Sequence, residues 1–285
     1  MQRLSWYWPA GLAGLALLLA ALPAPAMRIY LPPYYKVAQA QAIVIGKVTA
    51  IEDKTVAATM FPGAKEKSDY TVAVVKVEDA LLGAKGLTHV KVGFVLPKPV
   101  PPPPPGGPFI LVKGPAPIKL EVNQEVCLFL TKHHETEFFT IASVMDKKAP
   151  ELEQVKKFAK LLADPSASLK SKDADQRTTT AALLVLHYRQ RPLGNKVKEE
   201  EIDEDQSKLI LKALTEGDWN KKVTSRDEVT PIVGFNALGL TDKDGWNFKA
   251  LPGQPADAYQ QAAQTWLKAH ADSYRVKQFV AEKKE

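Results

Sequence analysis

The densest group of side chains able to do chemistry is His133, His134 and Glu135, with Glu137 nearby. Imidazole and carboxylate groups are zinc ligands, and zinc needs three or four of them. In an extended strand His133 and Glu135 point one way and His134 the other, so neighbours do not easily share one ion. The HExxH pattern is absent. The sequence therefore predicts a polar hairpin tip and no metal site, with these three residues as the only metal candidates.

No nucleophile is identified by a motif. GxSxG, Walker and dinucleotide fingerprints are absent, although a catalytic triad is recognised by geometry rather than by order. Cys127 lies in an apolar run and is predicted to be a buried small hydrophobe. The alternative is a reactive thiol, with His133 and His134 as the nearby bases. The sequence thus predicts neither catalytic residues nor a cofactor, and an enzyme built from scattered residues stays an alternative.

Cationic and aromatic side chains outside that group have structural interpretations. His187, Arg189 and Arg191 follow an apolar helical run, where cations favour a helix C-terminus. Trp219 and Trp246 are expected to fill the base of a helical domain. The alternative is that they are exposed and stack on carbohydrate or peptide.

The first 26 residues have the pattern of a secretory signal peptide. Arg3 precedes an apolar run at residues 11–22, and Ala24–Ala26 supplies small residues for cleavage before Met27. The sequence therefore predicts export, to the periplasm or outside the cell. The apolar run is short for a membrane span, which needs about 20 residues. An uncleaved membrane anchor is the alternative.

Composition narrows the class of protein. The chain has 285 residues, of which 45% are apolar and 25% charged, as in globular proteins. A net charge of +6 is modest and spread out, so no nucleic-acid partner is predicted. Cys127 is the only cysteine, which excludes a disulfide-rich module. An exported protein without disulfides favours a bacterial envelope.

Residues 39–146 are predicted to form strands, after an N-terminal segment at 27–38. In the strand at 89–95, Val90, Val92 and Phe94 should be buried. A small closed antiparallel barrel is favoured because closure removes apolar strand edges. The further expected elements are strands at 42–51 and 70–77, a helical turn at 79–83 and a hairpin of 125–131 with 137–144.

A proline-rich loop at residues 97–108 interrupts these strands. Proline favours an extended polyproline II path, so a stiff surface loop is expected. The alternative is a docking segment for an aromatic-lined groove.

Residues 150–285 show helical periodicity. A bundle or a short solenoid is predicted, because such helices bury their apolar stripes only against one another. The acidic run at 199–205 is expected to be a solvated loop; a calcium loop would need a glycine and a ligand spacing that it lacks. The expected helices span 151–163, a segment capped by Asp173 or Asp175 and containing apolar 181–186, then 206–215, 227–240 and 255–270.

Three strand segments resemble the netrin-like module: AIVIGKVTAI at 42–51, YTVAVVKV at 70–77 and HVKVGF at 89–94, with Leu82-Gly83 between the last two. That family includes the tissue inhibitors of metalloproteinases, and the resemblance implies an OB-type barrel. Those inhibitors use an N-terminal cysteine and disulfides. The expected mature start here is Met27, so their inhibitory mechanism does not transfer.

In the second half, VGFNALGL at 233–240 resembles the inner helix of a HEAT-like repeat, where small residues let helices stack closely. Residues 177–188 are the candidate for a degenerate partner. No second copy occurs at a fixed period.

The predicted fold class is therefore α+β, an N-terminal OB-like antiparallel β-barrel followed by a C-terminal helical bundle or short HEAT-like solenoid. The predicted function is a secreted or periplasmic, non-enzymatic binding or scaffold protein. Its expected partner is a protein or an envelope polymer of unidentified type, with membrane contact only if the leader is uncleaved. The alternatives are a cell-envelope hydrolase with an unrecognised site and a membrane-tethered structural subunit.

Overall fold

In a computed structural model of the chain, the described residues are 30–96, 118–194, 196–251, 253–255 and 257–282. The expected leader at 1–26 and proline-rich loop at 97–108 lie outside them. Every described residue except Tyr30 belongs to one compact unit. This unit combines a six-stranded sheet with helices, so the predicted mixture of α and β structure is confirmed.

The strands come first along the chain and most of the helices follow. The strands are β1 (Ala42–Ile51), β2 (Val56–Thr59), β3 (Lys67–Leu82), β4 (His89–Val95), β5 (Glu125–Lys132), β6 (Phe139–Asp146), β7 (Val197–Glu201) and β8 (Lys277–Ala281). The helices are α1 (Pro33–Gln39), α2 (Leu152–Ala163), α3 (Pro165–Leu169), α4 (Ala174–Tyr188), α5 (Glu204–Glu216), α6 (Pro231–Ala237) and α7 (Ala258–His270).

The strand pairings of the large sheet form a ring. Its strand order is β1-β5-β6-β4-β3-β2, and β1 also pairs with β3, so five strands form a ring of pairings with β2 outside it. Register shifts between β1 and β3 bend these strands. The β4–β6 pair is parallel, whereas the sequence suggested a wholly antiparallel arrangement.

Strands β1 and β5 are apolar on both faces because both faces are covered. On one face, Val44 and Leu128 belong to a core enclosed by the strands. On the other, Ile43 and Phe129 pack in a core shared with the helices. The second core is continuous from the sheet to the helices, so the two halves of the chain are packed together.

The strand at residues 89–95 is confirmed, with Val90, Val92 and Phe94 buried. The helical turn expected at 79–83 was wrong. Residues 79–82 belong to the end of β3, where Ala80 lies opposite Val44 of β1. The pairing partner lies far away in sequence, and local composition did not reveal it.

Helix α4 is central to the helical half. Asp173 caps its N-terminus by accepting bonds from two backbone N–H groups, as one of the two expected caps. Residues 181–186 are buried all round, because α4 packs against α1, α2, α3, α5 and α6. Helix α6 packs closely on α4: a Cβ added at Gly234 would lie 3.0 Å from the Cβ of Ala182. Small residues therefore allow this contact.

Two predictions in the helical half were wrong. The helix expected from residue 227 begins at Pro231, which suits a first helical turn. The acidic run expected as a loop begins inside β7, which pairs antiparallel with β8, and Glu199 lies opposite Phe279. Cationic partners such as Arg189 make these glutamates compatible with a strand. None of the described helices has the length and apolar character needed to cross a membrane.

Candidate functional site

A cleft of about 890 Å³ lies where the strand ends meet the C-terminal end of α4. This volume is within the range of small-molecule sites, which is roughly 300–1,000 Å³. It is lined by the β2–β3 loop, the ends of β5 and β6, the residues that follow α4, and β8. The lining residues include Tyr35, Gln39, Met60, Phe61, Pro62, Lys132, His133, His134, His187, Arg189, Arg191, Leu193 and Phe279.

Among the described residues that line the cleft, there are cations and no carboxylates. Lys132 and Arg191 are exposed, and neither forms an ion pair with another described residue. Arg189 is different: its Nη1 lies 2.8 Å from Oε1 of Glu199, and its side chain is only 14% exposed. The positive charge available to a ligand therefore comes from Lys132 and Arg191.

One aromatic ring organises both arginines. The guanidinium carbon of Arg189 lies 4.1 Å from the centroid of the Phe279 ring, and that of Arg191 lies 5.4 Å from it. Gly239 leaves room for Arg189, since an added Cβ would be 2.8 Å from its Nη2. Arg189 is thus held as part of the wall, while Arg191 keeps an exposed charge beside it.

His187 presents a hydrogen-bond acceptor at this wall. Its Nδ1 donates to the carbonyl oxygen of Ala38 at 2.8 Å, and because a carbonyl only accepts, Nδ1 carries the proton. With that proton on Nδ1, the neutral form of the ring has its lone pair on Nε2. The side-chain amide of Gln190 donates to the same carbonyl, so the end of α4 is fixed to α1.

Four residues form a hairpin latch, which joins the β5–β6 turn to the end of β2: Thr59, His133, His134 and Glu135. Nδ1 of His133 accepts the backbone N–H of Glu135 at 3.2 Å, and Nε2 donates to the carbonyl oxygen of Thr59 at 3.0 Å. These bonds set the tautomer of a buried ring. Both ring nitrogens of His133 are therefore occupied.

The other two latch side chains bond to the same threonine. The carboxylate of Glu135 accepts the backbone N–H of Thr59 at 3.1 Å and its hydroxyl at 2.6 Å. Nε2 of His134 then donates to that hydroxyl at 2.8 Å. The hairpin tip thus satisfies the backbone N–H and C=O of Thr59, as a neighbouring strand would.

The protonation of two latch side chains, His133 and Glu135, fits these contacts. Burial lowers the pKa of His133, so its ring is neutral at pH 7. The hydrogen bonds from Thr59 lower the pKa of Glu135, which stays ionised. The three metal candidates are thus brought together, but around a threonine. Among the described residues, no three His, Cys, Asp or Glu side chains are grouped to hold a metal ion.

Two loops that line the cleft contact each other. The β2–β3 loop carries Met60, Phe61 and Pro62, and the segment after α4 carries Leu193 and Gly194. A Cβ added at Gly194 would lie 2.2 Å from Cδ2 of Phe61 and 2.7 Å from the carbonyl oxygen of Pro62. This close contact, here called the loop bridge, depends on the absence of a side chain at Gly194.

The remaining candidates lie in the protein interior, away from the cleft. Cys127 is fully buried in the core between sheet and helices, and burial raises the pKa of its thiol to about 12. Trp219 is buried and donates to the carbonyl oxygen of Leu214. Trp246 is half-buried against Phe235. These positions agree with the structural interpretation of each residue.

Sequence reasoning named parts of the cleft separately and missed others. His133 and His134, and also His187 with the arginines, were noted as unrelated groups, yet they line one cavity. Phe61 and Phe279 were missed because each is an ordinary apolar residue in its own segment. Their importance arises from contacts with residues far away in the chain.

Comparison with known proteins identifies no relative. No protein-family model matches the chain. A search of curated proteins also finds no match. The residues that line the cleft, and the bonds that hold them, are therefore what points to a function.

Proposed function

We propose that this chain is an exported, non-enzymatic binding protein that holds an anionic ligand in the cleft between its strands and its helices. The proposal depends on which cations of the cleft already form an ion pair and which do not. Lys132 and Arg191 are exposed in a cavity whose described lining has no carboxylate, while Arg189 is neutralised by Glu199. Unpaired cations in a concave, partly apolar site attract anions, because low-dielectric walls focus the field.

The donor types suit a carboxylate or a phosphate group. The planar guanidinium of Arg191 offers two parallel N–H donors to such a group, and Lys132 adds a mobile point charge. Nε2 of His187 and the half-buried amide of Gln39 are available to hydroxyl or amide groups of the same ligand.

The hairpin latch supports binding rather than hydrolysis. The Thr59 hydroxyl donates to Glu135, and His133 uses both of its nitrogens within the protein. A base or a nucleophile needs a free lone pair directed at the substrate. The latch residues have a structural task instead, which is to hold the β2–β3 loop at the cleft.

The arrangement of strands supports a more specific fold. We infer that the five-strand ring, with its parallel β4–β6 pair, is an OB-like barrel of netrin-like type, and that residues 150–285 form a helical bundle or a short HEAT-like array. OB-type barrels bind ligands through the connections between their first two and last two strands. The corresponding connections here run from β1 to β3 and from β5 to β6, and both line the cleft.

Calorimetry with pyrophosphate and citrate as probes tests anion binding. The matched variants of the full chain are Lys132→Gln/Arg191→Gln and the control Lys157→Gln/Lys160→Gln. The control removes two exposed charges from α2, outside the cleft. We expect the cleft variant to lose at least tenfold in affinity and the control to keep that of the wild type. Equal affinities in both variants, or no binding by the wild type, would contradict the proposal.

Export has its own test. Mass spectrometry of the protein recovered from its native host should show a chain that begins at Met27. Recovery of a chain that keeps residues 1–26 would favour the tethered alternative.

A further inference from the structure

We propose that the ligand is a single-chain amphiphile with a carboxylate or phosphate head. The head is bound by Lys132 and Arg191, and the hydrocarbon chain lies along an apolar rim formed by Tyr35, Met60, Phe61 and Leu193. This inference rests on the proposed binding of anions. It adds an apolar half to the ligand.

The apolar rim is the first reason. Large hydrophobic side chains are exposed singly on most proteins, but here four of them line one cavity. Met60 is 56% exposed and Leu193 is 77% exposed, while Phe61 and Tyr35 are also exposed. A hydrocarbon chain that lies against these groups would remove their surface from water, which no small hydrophilic anion can do.

The second reason is that cationic side chains and apolar side chains line the same cavity. Arg191 lies beside the Phe279 ring, and Lys132 ends β5. The apolar rim comes from Tyr35 of α1, from the β2–β3 loop and from the segment after α4. The last two meet at the loop bridge between Phe61 and Gly194. A ligand that fills the cleft therefore contacts both cationic and apolar side chains.

The shape of the site favours a single molecule over a membrane surface or a peptide. A concave volume of about 890 Å³ matches one small ligand, whereas a bilayer needs a protruding or flat surface. An extended peptide gains affinity by adding to a free strand edge. At the cleft that edge is closed, since the backbone N–H and C=O of Thr59 are bonded to Glu135 and His133.

The experiment compares ligands that share a head and differ in their chain. Calorimetry on the full chain uses hexanoate, octanoate, decanoate and decyl phosphate below their micelle concentrations. Acetate and inorganic phosphate represent the head alone, and phosphatidylglycerol vesicles represent a membrane. We expect affinity to rise by about twofold to fourfold per methylene, the range for partial to full burial of each group. Vesicles should bind more weakly than monomeric decyl phosphate.

Two pairs of variants separate the halves of the site. Met60→Gln/Leu193→Gln should lower the gain in affinity per methylene, because two of the four rim side chains then no longer offer apolar surface. The control Leu87→Gln/Val122→Gln alters hydrophobic residues of similar exposure outside the cleft and should leave this gain unchanged. Lys132→Gln/Arg191→Gln should weaken the binding of every probe.

The outcomes distinguish this inference from the proposal beneath it. Equal affinity for phosphate and decyl phosphate overturns the amphiphile and leaves anion binding standing. Binding of vesicles alone overturns both proposals, because no small anion is then held in the cleft. If Lys132→Gln/Arg191→Gln changes the affinity for no probe, both proposals fail.

Discussion

His133 donates its Nε2–H to the carbonyl oxygen of Thr59 at 3.0 Å, although the two residues are 74 positions apart. The residues that follow Thr59 are Met60, Phe61 and Pro62, which line the cleft. The position of that wall therefore depends on a histidine in the β5–β6 turn. The relationship makes His133 a positioning residue for the cleft.

Replacing His133 should destabilise the protein. His133→Ala removes a donor to Thr59 and an acceptor for the N–H of Glu135, and it leaves a void beside Tyr70 and Phe138. We expect the free energy of unfolding to fall by about 1–3 kcal/mol, as for other unsatisfied buried groups. Urea titration measures this. His89→Ala, at an exposed position on β4, should change it by less than about 0.5 kcal/mol. A loss as small as that of the control would show that the latch bonds contribute little.

Acid should weaken the latch. The pKa of His133 is lowered from 6.5 by burial, so the folded state resists protonation more than the unfolded state does. Stability from this group is full above about pH 6.5 and is lost as the pH falls through the depressed pKa. The pKa of Glu135 is lowered from 4.5, and its contribution is lost further down the pH scale. Unfolding free energies measured from pH 8 to pH 5 should decline in the wild type and decline less in His133→Ala. Parallel declines would exclude His133 as the source.

The loop bridge should tolerate no side chain at Gly194. Its φ of +69° disfavours alanine, and an added Cβ would meet Phe61 at 2.2 Å. Gly86 is the matched control, because it has a φ of +86° and no atom within 4 Å of an added Cβ. We expect Gly86→Ala to cost about 1 kcal/mol for the left-handed backbone, and Gly194→Ala to cost more. Adding Phe61→Ala should recover part of the difference. Equal costs at the two glycines would refute a tight contact.

Cys127 should be chemically silent in the folded protein. The thiol is fully buried, and burial raises its pKa to about 12, so almost no thiolate is present at pH 8. A colorimetric thiol reagent should label none of the native protein within minutes and one equivalent after unfolding in guanidinium. Rapid labelling of the native protein would show that the core between sheet and helices opens readily.

Strands and helices could be predicted from the sequence where a short stretch of neighbouring residues has a clear pattern. The β-branched run at 42–51 predicted β1, and the alternation around Val92 predicted β4 with its buried face. Asp173 was one of two expected caps for the central helix and accepts bonds from the N–H groups two and three residues ahead. These signals work because side-chain alternation and helix capping involve neighbours in the chain.

Tertiary structure alone decided the elements and contacts whose partners are distant in sequence. Residues 79–82 have a helix-like composition but belong to the part of β3 that pairs with β1, and the glutamates of β7 form a strand because β8 lies beside them. The cleft depends on the same kind of contact. Thr59 meets His133, and Phe61 meets Gly194, only after the strands have closed and the helices have packed on them. The sequence by itself determined the elements with strong local signals, and long-range packing decided the remaining strands and which side chains share a site.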